Sequence, residues 1–570
     1  MRRLLLASLV LALILSGCGV GDPGAPKETT EAERWAEAVL AEMTLQQKVG
    51  QVIVSGIVGT EMTPEMCLHL EVYMPGGVVL GQENIQNPGQ VRALVQAIQE
   101  CAGKTQPLPV LMAVAHEGER VNHFAEEVTD IPRAQAVGAT GDPQAAYTVA
   151  EISGGELAYS GFNMLLGPVA DVLTNLDSEI IGGRSYGSDP VRVSQFVAEA
   201  VRGYNAAGLI PVLKHYPGHG GVAADSHETL PVDHASLEEL ETAYLPPFRS
   251  GVAAGAPVIM TSHIAFPALG GDESATTLSK KTLDDLRVRL DFDGVIMSDA
   301  MRMKAVSGKD VPVAKAALQA LQAGVDLLLL NFPGHAGLAH TELVDAILEK
   351  RLDEQRLDAA VRRVLTLKAE RGLTEYQELD LLEPDWQANQ AAVDAIARRT
   401  ITIVRDPANL VPLSGTGRVL IVSPVQGWAV DQALAEALQA KGAQAEVQHY
   451  PAPWGDTPLG EAPPGEVDLA QILAAAQAYD QVVVFTWQAH ILKVTSGADW
   501  QGKLVSSLQH SGVPLVVVAV RSPTDALEFP AETTVVGILG TLKAQQEALV
   551  AVLLGEMQAQ GVNPLADLLP

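Results

Sequence analysis

The sequence predicts an α/β protein in which a (β/α)8 TIM-like barrel is followed by a smaller, doubly wound α/β domain. The first observation is a series of eight short apolar runs between residues 50 and 331, separated by helix-like stretches rich in Ala, Leu and Glu. Continuous apolar runs are typical of strands buried on both faces, as in parallel sheets. Eight such units over roughly 300 residues fit a barrel. The second observation is another set of apolar runs after residue 400, alternating with helical patterns, which favours a second, smaller sheet.

The eight runs of the barrel follow one another at intervals that leave room for a helix between them. In chain order, the predicted strands are Val52–Ile53, Val78–Leu80, Leu111–Val114, Met164–Leu166, Val212–Leu213, Val258–Met260, Val295–Met297 and Leu327–Leu330. Most of these runs end in polar residues, and the C-terminal rim of a barrel is where functional side chains lie. The predicted rim residues are Glu117, Asp171, Lys214, His215, Ser262, His263, Asp299 and Asn331.

An acidic connector that starts at Gly372 and surrounds Pro384 is predicted to separate the two domains. The strands predicted beyond it are Val419–Val422, Val482–Phe485, Leu515–Val520 and Val535–Leu539. The second domain contains neither a G-x-G-x-x-G pattern nor a phosphate loop, so no nucleotide is assigned to it. The predicted segments are a signal peptide (1–17), a flexible tether (18–34), the barrel (35–371), a linker (372–398) and the C-terminal α/β domain (399–570).

The first residues have the pattern of an export signal. Arg2 and Arg3 precede the apolar run Leu4–Leu15, and the small residues Ser16 and Gly17 follow it directly before Cys18. The run is shorter than the ~20 residues that span a bilayer. A Cys after Leu-Ser-Gly resembles a bacterial lipoprotein box, which implies lipidation of Cys18. The protein is therefore expected to be exported and lipid-anchored to the outer face of the bacterial membrane.

The composition and net charge of the chain exclude some classes of binding partner. An apolar content of 47% indicates a globular protein, and the formal net charge of −30 argues against binding nucleic acid or anionic headgroups through charge. Contact with a membrane is therefore expected only through the lipid. Cys67 and Cys101 could form a disulfide in an exported protein or remain two buried thiols, and both readings stay open.

The segment from Lys214 to His227 contains an unusually large number of side chains that can take part in catalysis. Lys214-His215-Tyr216-Pro217-Gly218-His219-Gly220 is followed by Asp225-Ser226-His227, and its Pro and Gly indicate a shaped loop. Together with Asp299 after a later strand, the loop suggests a His/Asp acid–base pair and a carboxylate nucleophile.

A zinc site is the competing interpretation of the three histidines in this loop. His215 and His219 are four residues apart, but Pro217 and Gly218 oppose the helix that would align them. The glutamate of an H-E-x-x-H motif is also missing. No metal and no cofactor are therefore expected.

Several segments together resemble glycoside hydrolase family 3, specifically its bacterial β-N-acetylglucosaminidase (β-hexosaminidase) branch. They run in the family's order over about 270 residues of the barrel. The matching segments are Gly161-Phe162-Asn163, Gly167-Pro168-Val169-Ala170-Asp171, Gly183-Arg184-Ser185-Tyr186-Gly187, the loop from Lys214 to His227, Met260-Thr261-Ser262-His263, Ser298-Asp299 with Met303, and Ala323-Gly324-Val325-Asp326. Ile401–Leu413 and Arg521–Asp525 resemble the family's C-terminal domain.

The resemblance implies that Asp299 is the nucleophile, His227 the general acid/base and Asp225 its orienting partner. A carboxylate can capture an oxocarbenium-like centre as a glycosyl ester, and an imidazole can donate and later accept the required proton. The competing interpretation of Asp299 is a cap of the following helix.

The resemblance also implies that Arg184, Lys214 and His215 bind the sugar, since Arg and Lys donate several hydrogen bonds to oxygen-rich ligands. For Arg184, a surface ion pair with Asp189 is the alternative.

One motif departs from the family pattern, which commonly reads Val-Asp-x-Glu-Gly-Gly-Arg-Val-x-Arg-Phe. Here, Ala115 stands in place of the sugar-binding Asp, Glu119 in place of a Gly, and His123 in place of the second Arg. His123 is therefore a candidate substrate-binding residue, and the sugar preference is expected to be relaxed or redirected.

The expected function is a retaining exo-β-glycosidase that removes terminal β-linked N-acetylglucosamine from a cell-wall-derived or dietary carbohydrate. Two alternatives stay open. One is a family 3 enzyme with another preference, such as a β-glucosidase or β-xylosidase. The other is a catalytically weak, sugar-binding surface lipoprotein, which would have no need of Asp225, His227 and Asp299 together. The sequence does not predict an oligomeric state.

Overall fold

The computed structural model describes residues 29–569, except 107, 125–126, 309–310, 377–380, 425–428 and 451–465. The predicted signal peptide, Cys18 and most of the predicted tether lie outside the described residues. In the described part, no helix is both long enough and apolar enough to cross a membrane.

Two sheets organise the chain. The strands are β1 (Ile53–Gly56), β2 (Gly77–Leu80), β3 (Leu111–Val114), β4 (His116–Gly118), β5 (Val121–Asn122), β6 (Met164–Leu165), β7 (Ile210–Tyr216), β8 (Val258–Thr261), β9 (Val295–Ser298), β10 (Leu328–Leu330), β11 (Thr402–Arg405), β12 (Arg418–Pro424), β13 (Gln444–Tyr450), β14 (Gln481–Trp487), β15 (Leu515–Val520) and β16 (Thr534–Gly537).

Helices cover both sheets. They are α1 (Glu31–Glu42), α2 (Leu45–Gln51), α3 (Pro64–Tyr73), α4 (Pro88–Ala102), α5 (Ala134–Ala139), α6 (Pro143–Tyr159), α7 (Pro190–Ala206), α8 (Leu237–Glu239), α9 (Pro246–Ala253), α10 (Pro267–Gly270), α11 (Lys280–Leu290), α12 (Val313–Ala323), α13 (Pro333–Leu348), α14 (Glu354–Glu370), α15 (Trp386–Arg398), α16 (Ala429–Ala440), α17 (Glu466–Ala476), α18 (Ala489–Ser496), α19 (Trp500–His510) and α20 (Lys543–Leu553).

The first sheet is the predicted barrel. Its eight parallel strands have the order β10-β1-β2-β3-β6-β7-β8-β9, and a parallel bridge between Met297 and Leu327 connects the two ends. Along β3, Leu111 and Ala113 point into the barrel, while Met112 packs outward against the helices. This alternation, with both faces buried, explains why the strands are continuous apolar runs. The predicted fold class is confirmed.

The second sheet has the order β11-β16-β15-β14-β12-β13, and all its pairs are parallel except β11 with β16. Val419 and Ile421 of β12 pack on one face with α16 and α20, and Leu420 and Val422 pack on the other with α19. A sheet with helices on both faces is the doubly wound arrangement that the sequence predicts.

Two helices lie within segments predicted to be irregular. α1 begins at Glu31, inside the predicted tether, because Thr30 and Glu33 form a reciprocal capping box. α15 occupies the second half of the predicted linker and packs against α20 and α6.

Cys67 of α3 and Cys101 of α4 form a disulfide, with their Cα atoms 5.3 Å apart. The alternative of two buried thiols is therefore wrong. The bond connects the helices that follow the first two barrel strands.

Residues near the end of the chain return to the barrel. The Val562 N–H donates to the Ala139 carbonyl at 2.8 Å, and the Ser188 N–H donates to the Pro564 carbonyl at 3.0 Å. Leu565 packs against Leu173 of the barrel. The two domains thus share a packed and hydrogen-bonded interface.

Candidate active site

A cavity of about 490 Å³ opens at the C-terminal ends of the barrel strands. Its volume falls in the range of small-ligand sites. The segments that follow six of the barrel strands contribute to its wall, and all the described residues that line it belong to the barrel. Six of the predicted site residues line it: His123, Arg184, Lys214, His215, His227 and Asp299.

Glu117 on β4 joins two of the predicted sugar-binding residues. It accepts a forked pair of hydrogen bonds from Arg184, at 2.6 Å from Nε and 2.9 Å from Nη2, and Lys214 Nζ lies 2.6 Å from its Oε1. Burial opposes the charge of this carboxyl, but the guanidinium and the ammonium hold the pKa of Glu117 well below its usual value. The alternative pairing of Arg184 with Asp189 is wrong, because Asp189 instead caps α7.

Asp171 fixes the start of the histidine-rich loop. It accepts hydrogen bonds from the backbone N–H groups of His215 and His219 at 3.1 and 2.8 Å, and His215 Nδ1 lies 2.7 Å from its other oxygen. Burial raises the pKa of Asp171, yet the two histidines and these N–H groups bring it below its ordinary value. The carboxylate therefore orients the His215 ring from behind the cavity.

Asp299 follows β9 directly and accepts a hydrogen bond from the Ala300 N–H at 2.7 Å. Burial raises the pKa of Asp299, but His215, His263, the Ala300 N–H and Lys214 together place it below its ordinary value. The carboxyl group is therefore ionised at neutral pH. The alternative role as a helix cap is wrong, since the next helix, α12, begins at Val313 after Pro312.

His263, a predicted rim residue, supports the turn at Asp299. Its Nε2 lies 3.2 Å from the Ala300 carbonyl oxygen, and its Nδ1 lies 2.7 Å from the Thr277 hydroxyl. These contacts place the proton on Nε2 and hold the main chain beside the carboxylate.

His227 and Asp225 form the predicted pair. Nδ1 of His227 lies 2.8 Å from Asp225 Oδ1, which also accepts the His227 backbone N–H at 2.8 Å. The His227 side chain is 58% exposed and lines the cavity, whereas Asp225 stands behind it. Partial burial raises the pKa of Asp225, but its bonds to His227 outweigh this effect and lower it. The ring nitrogen Nε2 is left to act on a ligand.

The altered motif forms another part of the wall. Ala115 and His123 both line the cavity, and His123 Nδ1 is buried with no hydrogen-bond partner among the described residues. Burial lowers the pKa of His123, so its ring is neutral at pH 7. Glu119 points elsewhere and binds Arg133 at 2.6 Å, and Arg133 donates to the Arg521 carbonyl of the second domain at 3.2 Å.

One aromatic and one cationic residue at the rim, Phe332 and Arg302, were not predicted from the sequence. Phe332 is 41% exposed and lines the cavity, and the Arg302 guanidinium lies 4.9 Å from the centre of its ring. The polar Asn331 directly before Phe332 was the available signal, because residues at strand ends face the rim. Over the described ranges, no cluster of three or more His, Cys, Asp or Glu side chains could hold a metal ion.

Known proteins are similar to this chain in sequence and in fold. The glycosyl hydrolase family 3 N-terminal domain model matches residues 44–367. A beta-hexosaminidase of Stenotrophomonas maltophilia (strain K279a) is 36% identical over 300 residues, which cover 51% of this chain and 84% of that protein. A beta-hexosaminidase of Methylobacillus flagellatus is 35% identical over 292 residues, covering 50% and 81%.

The likeness to a solved structure extends over both domains. A glycoside hydrolase family 3 beta-N-acetylglucosaminidase from Paenibacillus sp. str. FPU-7 has a TM-score of 0.80 and 30% identity, covering 92% of this chain and 99% of that one. With its barrel, its rim cavity and these relatives, the chain belongs to glycosyl hydrolase family 3.

Proposed function

We propose that this family 3 hydrolase is a retaining exo-β-N-acetylglucosaminidase. The observation that carries the proposal is that an ionised carboxylate, Asp299, and a histidine backed by a carboxylate, His227, face the same cavity. Retaining glycosidases need such a nucleophile and such a proton donor on opposite sides of the scissile bond. The sugar is proposed from the relatives, which are named for β-hexosaminidase and β-N-acetylglucosaminidase activity.

In the first step, Asp299 attacks the anomeric carbon while His227 transfers its Nε2 proton to the leaving oxygen. The C–O bond to the leaving group breaks, and a glycosyl ester forms on Asp299. Asp225 stabilises the cationic ring before transfer and keeps its orientation afterwards.

In the second step, neutral His227 accepts a proton from water as the water attacks the anomeric carbon. The ester bond breaks, Asp299 is restored as a carboxylate, and the sugar leaves with its original configuration.

Arg184 and Lys214 are proposed to bind the sugar's hydroxyl and acyl oxygens. Glu117 compensates part of their charge, and each cation keeps N–H donors beyond those directed at Glu117. The result is a site that is rich in donors without a large excess of positive charge, which suits a neutral sugar.

A different sugar preference is the second candidate, and the replacement of two family residues by Ala115 and His123 favours it. A panel of aryl β-glycosides, with N-acetylglucosamine, glucose and xylose as the sugar, separates the two. The proposal expects the highest kcat/KM for the N-acetylglucosaminide; a higher value for glucoside or xyloside would overturn the sugar assignment.

The catalytic assignment has its own experiment. Asp299→Ala is expected to abolish turnover, and a 2-fluoro glycoside inactivator is expected to label Asp299 in the unmodified protein. Label on another carboxylate, together with an active Asp299→Ala variant, would overturn the assignment of the nucleophile.

We further propose that the protein is exported and anchored to the outer face of the membrane by a lipid on Cys18. The support is the sequence: a basic start, an apolar run too short to span a bilayer, and small residues directly before the cysteine.

A further inference from the structure

His490 of the second domain contacts a carboxylate through each of its ring nitrogens. It lies near the start of α18 and is largely buried, with Nε2 2.8 Å from Asp177 Oδ1 and Nδ1 2.8 Å from Glu528 Oε1. Glu528 belongs to the same domain as His490, whereas Asp177 lies on a rim loop of the barrel. The imidazole is thus a polar bridge between the two domains.

Both contacts are hydrogen bonds only when the ring carries two protons. A carboxylate accepts but does not donate, and a neutral imidazole donates from one nitrogen only. Lys493 also pairs with Glu528, and the buried Asp525 lies 3.5 Å from the His490 backbone N–H. An imidazolium between Asp177 and Glu528 forms two charge-assisted bonds, which are stronger than neutral ones.

From Asp177, hydrogen bonds lead to the loop that carries His227. The Asp177 N–H donates to Asn175 Oδ1 at 3.0 Å. Asn175 in turn donates to the Gly220 carbonyl from its main chain at 3.0 Å and to the Gly221 carbonyl from its side chain at 3.3 Å. Gly220 and Gly221 lie only a few residues before Asp225 in the chain.

The same rim loop also leads to Arg184. The Ser178 carbonyl accepts the Gly182 N–H at 2.9 Å, and Arg184 Nη1 donates to the Ile180 carbonyl at 3.1 Å. The segment 174–184 therefore connects the domain interface with one sugar-binding candidate and with the His227 loop.

We infer that His490 is a positioning residue through which the second domain holds the rim loop 174–184, and with it Arg184 and the loop of His227, in the geometry for catalysis. The inference rests on the proposed glycosidase function and deepens it, because it gives the second domain a role in a site whose described lining comes from the barrel alone. His490 acts through Asp177 and does not touch the substrate.

Other contacts hold the two domains together when the His490 bridge is removed. These include the backbone bonds of Val562 and Pro564 to the barrel and the ion pair of Arg399 with Asp142 at 3.0 Å. Arg399→Ala is a matched control, since it breaks a polar contact across the same interface away from the rim loop.

The test compares His490→Gln, Asp177→Asn and Arg399→Ala in the full-length protein. His490→Gln is expected to lower kcat/KM for a glycoside with a poor leaving group on the order of 10-fold, since small displacements of catalytic groups are costly. The loss should be smaller for an activated aryl glycoside, which has less need of a proton from His227. Asp177→Asn should reproduce the pattern. Combining it with His490→Gln should add little, because each substitution removes one charged partner of the same His490–Asp177 contact and so weakens it. Arg399→Ala should leave both rates unchanged.

Amide hydrogen exchange gives a second readout that does not depend on activity. His490→Gln should speed exchange in segments 174–184 and 220–227 relative to the wild type, whereas Arg399→Ala should not. Unchanged exchange in these segments, or equal losses for both leaving groups, would overturn the inference. If the wild type cleaves none of the glycosides, the proposed function fails, and exchange alone decides whether His490 holds the loops.

Discussion

The placement of His227 gives its proposed role a specific kinetic signature. The side chain is more than half exposed at the cavity, and its Nδ1 is engaged by Asp225. We expect His227→Ala to lose about 10²–10⁴-fold in kcat/KM on glycosides with poor leaving groups, because only these need a proton. Activated aryl glycosides should lose far less. Asp225→Asn should give a milder form of the same pattern, and equal losses on both substrate types would contradict general acid catalysis by His227.

At Ala115 and His123, the cavity wall lacks the carboxylate and the guanidinium that the family pattern implies at these positions. An alanine offers no acceptor for a hydroxyl, and a neutral imidazole cannot replace a forked donor. We expect the double substitution Ala115→Asp with His123→Arg to lower KM for an N-acetylglucosaminide. Each single variant is the control for the other. If the double variant has the same KM as the wild type, and the wild type is itself active on this substrate, other residues already supply these contacts.

Some of the site could be predicted at the level of single residues, and some could not. Asp299 and the Lys214–His227 loop are contiguous signals that follow apolar strands. The central role of Glu117 depends on Arg184, which is 67 residues away, and the role of Asp171 depends on His215, which is 44 residues away. Partners so distant in sequence are brought together only by the closed barrel, so their pairing could not be read from local patterns.

Among the elements, α14 carries a buried amine, that of Lys368. The Lys368 side chain is fully buried, and its Nζ donates to Gln51 Oε1 at 2.8 Å. Burial lowers the pKa of Lys368 to about 7. Between about pH 7 and 10, the unfolded chain therefore binds a proton at this residue that the folded chain does not bind. The free energy of unfolding therefore increases with pH in this range. The increase due to Lys368 is at most about 1.4 kcal/mol per pH unit.

We expect Lys368→Met to raise the free energy of unfolding, and to raise it more at pH 7 than at pH 10. Denaturant unfolding at both pH values measures the difference. Lys503→Met, on an exposed part of α19, is the control and should change stability little at either pH. An equal effect of Lys368→Met at both pH values would mean that the buried amine titrates as it does in water.

The α3–α4 disulfide closes a segment with a sequence separation of 34. Removing it by Cys67→Ser with Cys101→Ser is expected to lower the free energy of unfolding by about 2–4 kcal/mol, chiefly because the unfolded chain gains freedom. Chemical denaturation under oxidising conditions measures the change. Reduction of the wild type should produce a comparable loss; a variant as stable as the oxidised wild type would show that the bond contributes nothing.

Strands could be predicted from the sequence where every one of their residues is buried. β3 and β15 coincide with predicted apolar runs because both of their faces are buried. β13 and β11 were not predicted. β13 is an edge strand with several exposed side chains, and β11 is half-buried, so neither is a continuous apolar run. The helix at the predicted tether depends on a cap, Thr30 with Glu33, rather than on apolar periodicity.

At the scale of the whole molecule, the net charge of −30 opposes adsorption to anionic lipid, so attachment would depend on the proposed lipid at Cys18. We expect Cys18→Ser to move the protein from the membrane to the soluble fraction. One acyl chain binds only marginally, whereas the several chains of a mature lipoprotein cysteine give durable anchoring. Fractionation followed by immunodetection measures the shift. A variant that stays with the membrane as before would rule out the lipid as the anchor.

The contact of residues 562–565 with the barrel has a consequence for the order in which the parts of the protein are made. Ser188 is hydrogen-bonded to Pro564, which lies 376 residues later in the chain. A ribosome therefore completes every barrel strand, and then the whole second sheet, before it delivers the residues that bind Ala139 and Ser188. Until then, these main-chain groups of the newly made barrel and the surface at Leu173 stay uncovered, so the packing of the barrel is completed only after the second domain has been made.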